Sequence, residues 1–158
     1  MVAAVRRRRS EARPGELVEA ALRCFVAHGF SATRLDEVAR FAGVSKGTMY
    51  LYFDSKEALF AAVVRQAIVP AVAALEQEVA GLSGSAAERL SALLRLHWRQ
   101  ACDERWAGIP KLIIAEIGNF PQLGQLYHDE VVARFKRLYA GIISAGIESG
   151  EFRPGDCD

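Results

Sequence analysis

Apolar residues recur every three to four positions along nearly the whole chain, and the period-two alternation of half-buried strands is almost absent. Such spacing puts the apolar side chains of a segment on one face of a helix, so the expected fold class is all-α. Local start and stop signals divide the pattern. Pro14 suits the opening turn of a first helix, whose stripe is Leu17, Val18, Ala21, Leu22 and Phe25, with Gly29 as its stop. Thr33-Arg-Leu-Asp36 reads as a capping box for a helix over about Leu35–Ala42, ended by Gly43. Ser45 caps the next helix, to about Tyr52, and Asp54-Ser-Lys-Glu57 opens a longer one that presents Leu59, Phe60, Val63 and Val64. Pro70 should end or kink that helix, although Ala71–Val79 can continue it.

After a break at Gly81–Gly84, Ser85-Ala-Ala-Glu88 caps a helix to about Asp103. Gly108–Pro110 interrupts the pattern, a helix follows near Lys111–Gly118, and Pro121 opens a helical stretch to roughly Gly146. The polar tail from Gly150 onward is expected to fray.

The chain has 158 residues, enough for one or two small domains with a real core. No apolar run approaches the ~20 residues that span a bilayer, and Ser10, Glu11 and Arg13 follow the arginine run where a secretory signal has its apolar stretch. A cytoplasmic protein with no membrane partner is the resulting expectation. Cys24, Cys102 and Cys157 form neither a disulfide framework nor a metal-ligand spacing, and Cys24 falls in an apolar stripe. His28, His97 and His128 lie far apart in sequence without an acid, base or nucleophile motif beside them, which argues against an enzyme and against a cofactor.

Net charge is only +1, but it is unevenly placed. Residues 1–56 carry ten Lys and Arg against six Asp and Glu, a net of +4, and the remainder carries a net of −3. A basic end of this kind faces a polyanion.

The most informative stretch is Leu35-Asp-Glu-Val-Ala-Arg-Phe-Ala-Gly-Val-Ser-Lys-Gly-Thr-Met-Tyr-Leu-Tyr-Phe53. Two short helices are joined by Ala42-Gly43-Val44-Ser45, in which Gly43 permits the reversal, Val44 plugs the angle and Ser45 starts the second helix. This is a helix-turn-helix, whose second helix enters the major groove. Val38, Ala39, Val44, Met49 and Phe53 should form its core, leaving Ser45, Lys46, Gly47, Thr48 and Tyr50 outside. Lysine supplies charge, threonine and tyrosine hydroxyls reach phosphates or base edges, and Gly47 lets the helix start approach the groove.

The run Val44-Ser-Lys-Gly-Thr-Met-Tyr-Leu-Tyr-Phe-Asp-Ser-Lys-Glu-Ala-Leu59 resembles the DNA-binding signature of the tetracycline-repressor (TetR) family. It is preceded by Phe25-x3-Gly29-Phe30-x2-Thr33 and Val38-Ala39-x2-Ala42-Gly43. The resemblance is dense over residues 14–64. It implies a basic arm at 1–13, a DNA-binding domain at 14–56, and a helical effector-binding and dimerisation domain at 57–158, joined by a long helix. It further implies Thr33, Ser45, Lys46, Gly47, Thr48, Tyr50, Tyr52 and Lys56 as DNA contacts, with Lys56 on the phosphate backbone. Arg6, Arg7, Arg8 and Arg9 resemble a basic arm that lies on phosphates or in a minor groove; a solvated tail is the alternative.

Over residues 65–158 the likeness is loose, around Ala115-Glu116-x3-Phe120-Pro121, and the chain stops soon after Gly150-x-Phe152-Arg153-Pro154, short of the last helix by which such proteins pair. Trp98, Cys102, Trp106, Phe120 and Tyr127 are candidates for lining an apolar effector pocket. The expectation is a ligand-responsive repressor that binds a palindromic DNA operator as a homodimer. Pairing is assigned to Pro121–Ser149, where Val131, Val132, Phe135, Leu138, Tyr139, Ile142 and Ile143 cover more than one helical face, so that one face packs on the subunit's own core and another is left for a two-fold partner. The alternative is a helical interaction protein that uses the same motif for protein contacts.

Overall fold

The computed structural model describes residues 2–103 and 107–155, with side chains from Pro14 onward. No strand occurs among them. Helix α1 runs Val2–His28 and contains Pro14 rather than starting there. A proline removes one intrahelical bond, and the backbone continues helically on either side of it. Arg6, Arg7, Arg8 and Arg9 lie on the first turns of α1, and their side chains are outside the described set. Gly29 ends the helix at φ +82°, a left-handed conformation that costs glycine nothing.

Helix α2 is Leu35–Phe41 and α3 is Lys46–Tyr52. Between them Gly43 has φ +68°, and the Val44 N–H bonds back to the Ala39 carbonyl at 2.9 Å. Ser45 caps α3 and Ser55 caps α4 (Lys56–Val63), each side chain accepting the backbone N–H three residues on, at 3.1 and 3.0 Å. The capping box expected at Thr33 does not form. Arg34 is the residue preceding α2, with no side-chain cap, because the Thr33 hydroxyl is engaged elsewhere.

Helix α4 passes through a π-helical turn, Val64–Ile68, into α5 (Val69–Ala80), so Lys56–Ala80 is one helix of 25 residues. Pro70 does not end it. The proline sits in the first turn of α5, directly after the widened turn, where its missing N–H disturbs least. The expectation that no apolar run reaches spanning length needs correction, since this helix is long and apolar enough to cross a membrane by length and composition. Its apolar character has a packing cause. Leu59, Phe60, Val63, Val64, Ile68, Val72, Leu75 and Val79 are buried, which makes it the central helix of the bundle.

Helix α6 (Ala86–Ala101) opens on a complete Ser85–Glu88 capping box. Helix α7 (Gly108–Glu116) starts three residues before Lys111, with Pro110 in its first turn. Helix α8 (Pro121–Tyr127), a second π-helical turn (His128–Val132) and α9 (Ala133–Glu148) follow. The segment after α9 is docked rather than frayed. Glu151 accepts the Ala86 and Ala87 N–H groups at 3.0 and 3.3 Å, capping α6 from outside, and Phe152 lies where any Cβ on Gly146 would collide at 2.2 Å.

One buried cluster runs from Leu17 through Val38, Met49 and Phe60 to Ile109, Leu123 and Val131. The DNA-binding motif therefore shares its core with the helices after it. At its centre Phe25, Phe30 and Phe60 form a ring triad with centroids 5.5–5.7 Å apart, each pair worth about 0.5–1.5 kcal/mol beyond burial. A smaller cluster joins Leu75, Val79, Leu93 and Ile142. The two clusters together take up the inward face of the Pro121–Ser149 stretch. Val131 and Ile142 are buried within the subunit, while Phe135, Leu138 and Tyr139 pack partly against its own core. Among the seven apolar residues named on that stretch, Val132 is the one left exposed.

Candidate nucleic-acid interface

The amphipathic pattern of α3 divides inside from outside. Met49 is fully buried and Phe53 nearly so, with Val38 and Ala39 beneath them and Val44 half-buried against the same core. Ser45, Lys46, Gly47, Tyr50 and Tyr52 are exposed, and Thr48 is half-buried. The Ser45 and Thr48 hydroxyls lie 2.9 Å apart. Lys46 Nζ donates to Asp36 Oδ2 at 2.9 Å and stands 5.7 Å from the Tyr50 ring centroid. The hydrogen bond to Asp36 holds the lysine ammonium above its usual pKa range, so it stays charged. A Cβ on Gly47 would meet nothing closer than 3.8 Å, so the chain's own packing leaves that helix start open. Leu51 and Phe41, which the sequence reading did not single out, are also strongly exposed here.

Two assigned contacts have other partners. Thr33 is 1% exposed, and its hydroxyl donates to the carbonyls of Gly29 at 2.7 Å and Cys24 at 3.2 Å. It bonds carbonyls in the last turns of α1 and just past its end, so the hydroxyl is engaged inside the subunit. Lys56 donates to the Phe30 and Ser31 carbonyls at 2.7 and 3.0 Å and sits 4.5 Å from the Phe30 ring centroid. Two of its three N–H groups are thus engaged, which leaves one for a phosphate.

The candidate pocket residues do not converge. Trp98 is 73% exposed, and Cys102 is exposed beside it. Phe120 stacks edge-on with Phe30 at 4.9 Å, next to the DNA-binding helices, and Trp106 lies outside the described residues. Tyr127 alone of the described four lines a cavity, of about 70 Å³, between the α4–α5 helix, α6, α7 and the stretch from α8 to α9. Its walls include Ile68, Val72, Ile109, Val131 and Phe135, with His97 and Gln100 as further polar members. The miss has a simple cause: His97 and Trp98 are neighbours on α6, and the polar one faces in. His97 stacks on Phe135 at 4.1 Å and its Nδ1 lies 2.8 Å from the Tyr139 hydroxyl. Burial holds this imidazole below its usual pKa and the Tyr127 phenol above its own. The Gln100 amide oxygen is buried without a hydrogen-bond partner.

Residues 17–63 match the family model described as bacterial regulatory proteins, tetR family. Over nearly the full chain, 96% of it, the HTH-type transcriptional regulator RutR of Escherichia coli K12 is 32% identical, with 69% of that protein covered. The chain belongs to the TetR family. Solved structures agree with the assignment. A TetR-family regulator from Mesorhizobium loti superposes with a TM-score of 0.74 at 27% identity, over 94% of this chain and 75% of its own. A Saccharomonospora viridis transcriptional regulator solved with choline gives 0.79 at 25% identity, over 94% and 77%. This TetR-family chain is a DNA-binding transcriptional regulator, and nothing among its relatives supports a helix-turn-helix kept for protein contacts.

Proposed function

We propose that this regulator is a cytoplasmic repressor that holds a palindromic operator as a homodimer and releases it when a small molecule enters the cavity behind α6 and α7. The observation that carries the DNA-reading half is the division of α3, with Met49 inside and Ser45, Lys46, Gly47, Thr48, Tyr50 and Tyr52 outside or near the surface. One such helix reads only a few base pairs, so useful selectivity requires two copies on two half-sites. Arg6–Arg9 would add phosphate contacts from the end of α1. The working division is an arm at 1–13, a DNA-binding part at 14–56 and an effector part from 57 onward.

The effector half rests on the cavity. Its apolar walls and the unpartnered Gln100 oxygen suit a largely apolar molecule bearing a hydrogen-bond donor. At about 70 Å³ it is smaller than the ~150 Å³ apolar cavity that admits benzene. Binding must therefore push its walls apart, and that displacement is what a repressor needs in order to let go.

Binding-site selection with the purified protein is the test. It should return a palindrome, and sedimentation should show two chains on it. A monomer on a single half-site rejects the dimer, and enrichment of no sequence rejects the repressor. The selected operator then serves to screen small molecules for release.

A further inference from the structure

Glu116 closes α7 and is 7% exposed, with Thr33 the other buried polar or charged residue among the described ones. Its carboxylate reaches 85 residues back along the chain. Oε1 accepts the Ser31 N–H at 2.8 Å and Oε2 accepts the Ser31 hydroxyl at 2.6 Å. The Phe30 N–H contributes as well. These bonds, the Ser31 hydroxyl first, hold the carboxyl below its usual pKa although burial opposes them. On the other side of the same two residues Lys56 takes the Phe30 and Ser31 carbonyls. The turn between α1 and α2 is thus gripped by an anion from α7 on its amides and a cation from α4 on its carbonyls. Gly29 permits the approach: a Cβ there would stand 3.3 Å from Glu116 Oε1.

We propose that Glu116 is the positioning residue that sets the α1–α2 turn for DNA reading, and that α7 passes the opening of the cavity to the motif through it. The second clause rests on the effector reading above. The geometry supplies both ends of the lever. Ile109 and Pro110, in the first turn of α7, wall the cavity. Glu116 lies about 10 Å further along the same helix, at ~1.5 Å per residue. Helices move as stiff units, so widening the cavity against Ile109 displaces Glu116 relative to Ser31. A hydrogen bond weakens steeply with such misalignment. The turn leads directly into α2, which carries α3 across the Gly43 reversal, so releasing Ser31 lets both helices shift.

The test uses the full chain and its selected operator, measured well below the melting temperature. Glu116→Gln keeps the shape of the side chain but removes its charge and leaves one acceptor oxygen where the carboxylate offers two to the Ser31 donors. It should weaken operator binding about tenfold with helical content retained. Ser31→Ala, which removes the hydroxyl that Glu116 Oε2 accepts, should do the same from the other side, and the double variant should be no worse than either single one. Ala101→Leu enlarges a side chain that lines the cavity from an exposed position on α6, without any ligand. It should weaken operator binding in the parent and change it less than twofold in Glu116→Gln. Parent-like operator affinity in folded Glu116→Gln or Ser31→Ala overturns the positioning role, and an additive double variant overturns the contact as its cause. If Ala101→Leu acts equally in both backgrounds, transmission through Glu116 is wrong. If it acts in neither, the cavity reading itself fails and transmission falls with it, while positioning is still judged on the first two variants.

Discussion

Lys46 at the start of the reading helix is paired with Asp36 of the helix before it, Nζ to Oδ2 at 2.9 Å, while the other Asp36 oxygen is buried without a partner. The carboxylate fixes the direction of the lysine and offsets its charge until a phosphate or base edge competes for it. Exposed pairs of this kind contribute little to folding. Asp36→Asn should therefore raise affinity for DNA of any sequence and steepen its salt dependence. Lys46→Ala should lower operator affinity roughly tenfold with an unchanged melting curve. Fluorescence anisotropy across a salt series reads both, and parent-like binding by Lys46→Ala would remove it from the interface.

Met49 and Tyr50 are adjacent and point to opposite sides of α3. Met49→Ala empties a fully buried position and should cost about 2–5 kcal/mol of stability, seen in urea unfolding. Tyr50→Ala should melt like the parent and bind operator more weakly. If Tyr50→Ala destabilises the fold while sparing DNA affinity, the two faces have been exchanged.

Thr33→Val keeps the shape of the side chain and removes the hydroxyl that serves Gly29 and Cys24. Losing the hydrogen bonds of this buried hydroxyl costs about 1 kcal/mol. The loss should appear in denaturant titration of the free protein, and any fall in operator affinity should be no greater than the lost stability explains. A variant that folds like the parent yet fails on DNA would return Thr33 to the interface.

His97 makes stability depend on pH in a stated direction. Burial against Phe135 lowers its pKa below that of the unfolded chain, so the unfolded state takes up the proton first. The contribution is complete above the ordinary imidazole range and is lost as pH falls through it toward the folded value. Melting temperatures from pH 7.5 to 5 should fall more steeply for the parent than for His97→Phe. Parallel curves would show that His97 titrates as it does in the unfolded chain.

What the sequence by itself determined was local. Ser45, Ser55 and Ser85 cap helices wherever the chain goes, because each bonds an N–H three residues ahead. Gly29 and Gly43 turn left-handed because no Cβ forbids it. The outward face of α3 was legible for the same reason, since a seven-residue helix with Met49 and Phe53 on one side has little choice of orientation. Where partners lie far apart in the chain, residue type misled. Thr33 carries the signature of a cap for α2, yet its hydroxyl found closer carbonyls in the helix before. Trp98 looks like a pocket residue and faces outward, because the cavity side of α6 was taken by His97 and Gln100. Glu116 reads as an ordinary helix-end carboxylate until packing carries it to Ser31, 85 residues away. Only the tertiary structure decides such pairings, because they depend on how stiff helices cross, and no local propensity encodes the angle.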